Sequence, residues 1–183
     1  MTTLIVTVDL PEGSVGVPYT GSFTVDAGPW SVFSVPHLNG KTVNVLADGF
    51  VIKGLVVTDD LVTLPFPASY VYIGLPYVSE LETLQLEVNA PGLEQSKLKK
   101  IAKLWMRVTN TLGPQAGPNA AGLLDLKWRT NEVYGVPTNV FTGDKELSLT
   151  PKWNRDGRTF VRQTDPLPVT ILALIPEVVP SDL

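Results

Sequence analysis

Lys97-Leu98-Lys99-Lys100-Ile101-Ala102-Lys103-Leu104-Trp105-Met106-Arg107-Val108-Thr109 fits two kinds of backbone, and which one it adopts decides the fold class. Helical spacing aligns Leu98, Ile101, Ala102, Trp105 and Val108 on one side. Strand spacing sets Ala102, Leu104, Met106 and Val108 against Lys103, Trp105 and Arg107. The surrounding sequence favours a strand over residues 101–109, because short β-branched or alternating runs recur between turn formers on both sides of it.

Upstream, residues 4–8 and 22–25 are such runs, closed by Asp9-Leu10-Pro11-Glu12-Gly13 and by Gly28-Pro29. Residues 42–46 and 50–53 flank Ala47-Asp48-Gly49, and an Asp-Gly step supplies the positive φ angles of a tight hairpin. Residues 55–57 and 61–64 flank Asp59-Asp60, a second hairpin, and residues 70–73 follow. Leu84, Leu86 and Val88 then alternate with Thr83, Gln85 and Glu87, as in a sheet with one wet face. Downstream, Leu124, Leu126 and Trp128 alternate with Asp125, Lys127 and Arg129. Residues 146–149 and 158–163 flank Asn154-Arg155-Asp156-Gly157, and 169–175 follow Asp165-Pro166-Leu167-Pro168. Prolines sit in the connections and at strand ends, where a missing N–H costs little. The expectation is an antiparallel all-β fold, a sandwich or barrel-like module with short hairpins. A boundary is expected near Gly28: residues 1–27 form an N-terminal β segment, either separate or part of the same domain, and residues 28–183 form the main β domain.

Composition agrees. The 183 residues include 15 glycines and 16 prolines, and 17% are charged, against about 25% charged in an average globular chain. There is no cysteine and one histidine, His37. That removes disulfides, thiolate zinc sites, a cysteine nucleophile and multi-histidine metal sites. The net charge of −4 disfavours a free-standing nucleic-acid binder, which carries a basic footprint. No apolar run approaches the ~18 residues of a membrane span. Met1-Thr2-Thr3-Leu4-Ile5 has no basic segment of a secretory signal, so synthesis in a reducing cytoplasm is expected.

Lys97, Lys99, Lys100, Lys103 and Arg107 concentrate the scarce positive charge. Three readings stand: a face toward a polyanion, a solvated strand edge that discourages edge-to-edge pairing, or pairing, within the chain or across a subunit contact, with the acidic stretch Glu80, Glu82, Glu87 and Glu94. Trp30, Trp105, Trp128 and Trp153 suit a sugar-stacking platform, a core or a subunit contact. Asp144, Asp156 and Asp165 read as turn residues, whose side chains bond the nearby backbone. His37 has no Gly-x-Ser-x-Gly elbow to serve. No phosphate loop, dinucleotide fingerprint or zinc helix occurs. The residues thus point to binding or building rather than to catalysis, with no cofactor and no metal.

His37-Leu38-Asn39-Gly40-Lys41-Thr42-Val43-Asn44-Val45-Leu46-Ala47-Asp48-Gly49 resembles a phrase of the tail nozzle proteins of tailed bacteriophages, the tail tubular protein B family. So do Ile73-Gly74-Leu75-Pro76-Tyr77-Val78-Ser79-Glu80-Leu81-Glu82-Thr83-Leu84, Arg107-Val108-Thr109-Asn110-Thr111-Leu112-Gly113 and Phe141-Thr142-Gly143-Asp144-Lys145. The stretch from Arg162-Gln163-Thr164-Asp165-Pro166 to Pro176-Glu177 resembles the family's ending. The likeness runs in order over residues 30–178 and covers only the C-terminal part of those longer proteins. Pro11-Glu12-Gly13-Ser14-Val15-Gly16-Val17-Pro18-Tyr19-Thr20 is similar instead to the opening of phage and bacterial immunoglobulin-like repeats.

The resemblance implies a structural virion protein, made in the host cytoplasm and built into a phage tail. There it would be one subunit of a ring or nozzle, a hexamer by family precedent, contacting adaptor and fibre proteins and touching DNA in transit. Lys97, Lys99, Lys100, Lys103, Arg107, Trp105, Trp128 and Trp153 are the residues expected at a subunit contact or the lumen. The alternative is an immunoglobulin-like decoration that binds a host-surface glycan.

Overall fold

The structure, a computed structural model, describes residues 21–24, 29–86, 98–150 and 152–181. The expected strand at 4–8, together with Val25, Glu87, Val88, Glu94 and Lys97, lies outside them. The protein is all-β and antiparallel, with one 3-10 turn at Pro36–Leu38 and no α-helix among the described residues. It divides into two compact units between Tyr77 and Val78 rather than near Gly28. The reason is pairing: residues just before Gly28 join a sheet whose other strands lie after it.

In the first unit those residues form β1 (Gly21–Thr24), followed by β2 (Trp30–Ser34), β3 (Thr42–Ala47), β4 (Phe50–Val56), β5 (Leu61–Ala68) and β6 (Tyr70–Gly74). One sheet runs β1-β6-β3-β4 and the other pairs β2 with β5. Alternation places Val43, Val45 and Ala47 of β3, and Val71 and Ile73 of β6, on the inner side, where they share one core with Phe33, Val62 and Leu64. Asp48 (φ 47) and Gly49 (φ 85) make the expected hairpin turn between β3 and β4. The Asp48 carboxylate also accepts the Ser69 and Tyr70 N–H groups at 2.9 and 2.7 Å.

The turn at Asp59-Asp60 forms as expected, with Thr58 and Leu61 exchanging both backbone hydrogen bonds at 2.9 Å. Its strands then part: β4 pairs with β3 while β5 pairs with β2. This hairpin is one bridge long, and its effect is to pass the chain from one sheet of the sandwich to the other.

The second unit holds β7 (Ser79–Glu82), β8 (Lys99–Thr111), β9 (Gln115–Gly117), β10 (Leu124–Asp125), β11 (Phe141–Ser148), β12 (Phe160–Gln163) and β13 (Ile171–Pro180). One sheet runs β10-β9-β12-β7 and the other β11-β8-β13. Ile101, Leu104, Met106 and Val108 of β8 pack with Ala116, Leu147 and Val161 in a single core. The strand expected at 83–88 is displaced: β7 ends at Glu82, opposite the first residue of β12. Beyond it the Thr83 and Leu86 N–H groups donate across, to Thr159 O and Asp156 O, Gln85 Nε2 donates to Arg155 O at 3.1 Å, and the Thr83 hydroxyl replaces a backbone acceptor for Thr159 N–H at 2.9 Å. A three-residue step cannot continue an alternating ladder, and Leu84 is left 88% exposed.

Of the 97–109 stretch, residues 99–109 are strand and Leu98 is not, and β8 is longer than expected because it runs on to Thr111. Its buried residues fall at 99, 101, 104, 106, 108 and 111, so the period of two breaks twice. At the first break Lys103 faces Glu177 and Ile101 faces Val178, leaving Ala102 as an extra residue, a β-bulge. At the second, Val108 faces Gly143 and Thr111 faces Phe141, and Asn110 takes a positive φ of 43°. Each bulge turns the next run of side chains over by one residue.

Candidate functional site

The outer face of the β11-β8-β13 sheet collects most of the expected site residues. Register fixes its rows. Val179 lies beside Lys100, Glu177–Lys103–Ser148 form the next row, then Ile175–Trp105–Glu146, then Ala173–Arg107–Asp144. Arg107 grips Asp144 with two parallel bonds, Nε to Oδ1 at 2.8 Å and Nη2 to Oδ2 at 2.9 Å. Lys103 Nζ lies 2.7 Å from Glu146 Oε1. Lys100 Nζ stands 4.9 Å from the centre of the Trp153 ring, a cation–π contact. Between these charged groups Trp105 and Ile175 stay 37% and 44% exposed.

Three cations (Lys100, Lys103, Arg107) thus meet three anions (Asp144, Glu146, Glu177) on one face, which is balanced rather than basic. The hydrogen bond and charge of Glu146 raise the Lys103 pKa, and Asp144 does the same for Arg107. The Arg107 bonds hold the Asp144 carboxyl below its usual range.

Two expectations are corrected here. Asp144 is a strand residue of β11 paired with Arg107, not a turn residue; Gly143 beside it (φ 142) belongs to the bulge opposite Asn110. Glu80 and Glu82 serve the arginines of the neighbouring β12 region, not the basic strand. Arg162 Nε donates to Glu80 at 2.7 Å, and Arg158 lies 3.7 Å from Glu82.

Lys99 also departs from its expected place at a contact or lumen. It precedes the first bulge and so faces inward at 1% exposure, its Nζ donating to the Leu86 carbonyl at 2.6 Å. Gly157 lies against its stem, so close that a Cβ there would stand 2.8 Å from Lys99 Cδ. Trp128 belongs to the core margin. Its Nε1 donates to Pro114 O at 3.3 Å, and its ring meets Phe141 edge-on at 6.5 Å with Lys145 over both. Trp30 is half-buried in the first unit, its indole N–H without a hydrogen-bond partner among the described residues. Within the second unit, Trp128 at the core margin is therefore set apart from Trp105 on the outer sheet face.

Sequence reasoning missed a second feature, between β10 and β11. Glu132 Oε2 accepts Thr130 N–H at 2.8 Å and its Oε1 accepts Asn139 N–H at 3.2 Å. One carboxylate thereby ties the two ends of a loop. Arg129 Nη2 donates to the Val133 and Val136 carbonyls at 3.1 and 2.6 Å, and Val136 N–H closes a turn on Val133 O. Gly135, at φ 82, fills the left-handed third position of a type II turn. The tip holds Val133 (73% exposed) and Tyr134 (99%). Its own backbone N–H, then those of Thr130 and Asn139, hold the Glu132 carboxyl below its usual range, with the Arg129 charge adding to this. The Gly135-Val136-Pro137 punctuation was the available signal; the internal clamps left no mark in the pattern.

A third surface lies on the four-stranded sheet of the first unit. Tyr72, Leu46 and Val51 form an outward row across β6, β3 and β4. Tyr72 is 45% exposed and its strand neighbour Tyr70 is 61% exposed. The row carries no charge.

No family model matches the chain, and no curated protein matches it. Among the described residues no group of three His, Cys, Asp or Glu side chains converges as a metal site, and no helix is long and apolar enough to cross a membrane.

Proposed function

We propose that this chain is a structural, non-enzymatic virion protein of a bacteriophage tail, one subunit of a ring or nozzle through which DNA passes. The observation that carries the reading is the outer face of the β11-β8-β13 sheet. Its charges are matched in place, and Trp105 and Ile175 stand exposed among them. Such a face offers little to a polyanion, because Lys103 and Arg107 already have carboxylate partners and Lys100 rests over the Trp153 ring. It suits a protein contact, where an aromatic centre sits inside a ring of satisfied polar groups. The few charges of the whole sequence and the resemblance to nozzle proteins support the same reading, and that resemblance makes a hexamer the expected ring. A balanced face also suits DNA in transit, since a strongly attractive wall would hold it. The chain would be made in the host cytoplasm and reside in the tail beside adaptor and fibre proteins.

Sedimentation of the purified chain and negative-stain microscopy of virions labelled on this protein test the reading. A closed ring on the tail axis supports it; a monomer at all concentrations with label away from the axis refutes it. The second reading, a decoration that binds host-surface glycan, draws on the exposed Tyr70 and Tyr72. Binding of the chain to host polysaccharide, lost in Tyr70→Ala with Tyr72→Ala, would replace the first reading with the second.

A further inference from the structure

We propose that the clamped loop at residues 129–139 is an insertion knob, and that its receptor is the Tyr72–Leu46–Val51 row of another copy of this chain. The inference deepens the ring reading and rests on it.

Three observations converge on the knob. Tyr134 is 99% exposed at the tip of a type II turn. The segment is nevertheless held by five hydrogen bonds, four of them to Arg129 and Glu132 and the fifth closing the turn. A loop fixed in advance loses less conformational freedom on docking, so more of its contact free energy appears as affinity. Tyrosine gives a large rigid contact area with only two side-chain torsions and is enriched among anchors of protein interfaces.

Charge decides the class of receptor. Residues 133–138 read Val-Tyr-Gly-Val-Pro-Thr, with no charged side chain. The two charges at the loop base, Arg129 and Glu132, are turned inward on backbone groups. The tip therefore has nothing to draw it to a polyanion or an anionic membrane, and it matches an uncharged apolar surface. The chain displays such a surface itself, in the row of Tyr72, Leu46 and Val51 flanked by Tyr70. Knob and row are different patches on one chain. Joining them between copies makes a head-to-tail contact, the kind that closes into rings.

Two variants and their mixture provide the test. Tyr134→Lys removes the knob and leaves the row; Tyr72→Lys does the reverse, with Tyr70→Lys as a second probe of the row. Circular dichroism checks that each is folded, and sedimentation velocity reads the assembly. The wild type is expected to form a closed oligomer and each variant alone to remain a monomer, association being weakened about 30-fold or more by loss of a tyrosine anchor. An equimolar mixture of Tyr134→Lys and Tyr72→Lys is expected to stop at one-to-one dimers, because only one intact knob and one intact row remain per pair.

If the wild type assembles and Tyr134→Lys assembles equally well, the knob is refuted while the ring reading stands. Two monomeric variants whose mixture stays monomeric refute the pairing of this knob with this row. A monomeric wild type removes the ring reading and this inference with it. Binding of wild type to phosphatidylcholine vesicles through Tyr134, without self-association, also overturns the proposal.

Discussion

Deleting single residues from β8 tests the two-bulge account directly. Ala102 is the extra residue of the first bulge, so its removal leaves Ile101 opposite Val178 and Lys103 opposite Glu177, now without the interruption. Ile101 and Leu104 still point inward. The loss is the Leu149 N–H bond to Ala102 O at 3.0 Å, on the order of 0.5–1.5 kcal/mol. Deleting Trp105 removes an outward residue from a regular run and has no such escape. If the downstream half turns over, Met106 and Val108, each 1% exposed, come out, costing about 1.5–3 kcal/mol apiece, and Arg107 enters without Asp144. If the bulge dissolves to absorb the deletion, Leu104 comes out and Lys103 goes in. Either route consumes most of a domain's usual stability of about 5–15 kcal/mol. In urea unfolding of the full chain, read by far-UV circular dichroism, the Ala102 deletion is expected to keep a cooperative transition. With a typical denaturant slope, its midpoint should move by about 0.5 M. The Trp105 deletion is expected to lose the transition of the second unit. Equal damage from both deletions, or a Trp105 deletion close to wild type, would refute the assignment of the bulges.

Leu104→Ala, at a fully buried position, should destabilise by about 2–5 kcal/mol, whereas Trp105→Ala on the outer face should stay within about 1 kcal/mol of wild type; paired denaturation curves decide. Gly157→Ala sets a Cβ against the Lys99 stem at φ 58 and should cost about 1–3 kcal/mol from backbone strain alone. Asp48→Gly should lower stability by about 1–3 kcal/mol, because two N–H groups lose their carboxylate acceptor, and Asp48→Asn should recover part of it. The Glu132 carboxyl is held low, so its contribution to the loop is present above the ordinary carboxylate range and is lost as pH falls through the lowered folded value. Amide exchange at Thr130 and Asn139 should therefore rise on acidification, and Glu132→Gln should flatten that dependence.

Alternation was readable in the sequence wherever a strand ran without a bulge. Met106 and Val108 faced inward as expected, and so did Leu126, although only Leu124 and Asp125 of its run are paired. The helical set Leu98, Ile101, Ala102, Trp105 and Val108 does not share a buried side, since only Ile101 and Val108 of it are buried. Steps of three do occur between buried residues, 101 to 104 and 108 to 111, but they come from bulges. Strand partners were not legible, because pairing joins residues far apart in the chain. Arg107 and Asp144 are 37 positions apart, and nothing local marks Asp144 as a strand residue when Gly143 precedes it. The basic column itself was legible; its neutralisation by β11 was not. The loop clamps were hidden for a related reason, since Arg129 and Glu132 act on backbone groups, and backbone carries no sequence signal.

Among the described strands β13 stands at the end of its sheet, ten residues long and mostly apolar. Ser181 N–H donates to Leu98 O, so alternation aims the backbone of residues 176 and 180 away from β8. Both are prolines. The edge away from β8 therefore lacks two of the amide donors that an incoming strand would need. At high concentration an edge of this kind invites runaway strand stacking, and the prolines slow it. Growth by strand addition is hindered at this edge while the two faces of the sheet are left unaltered.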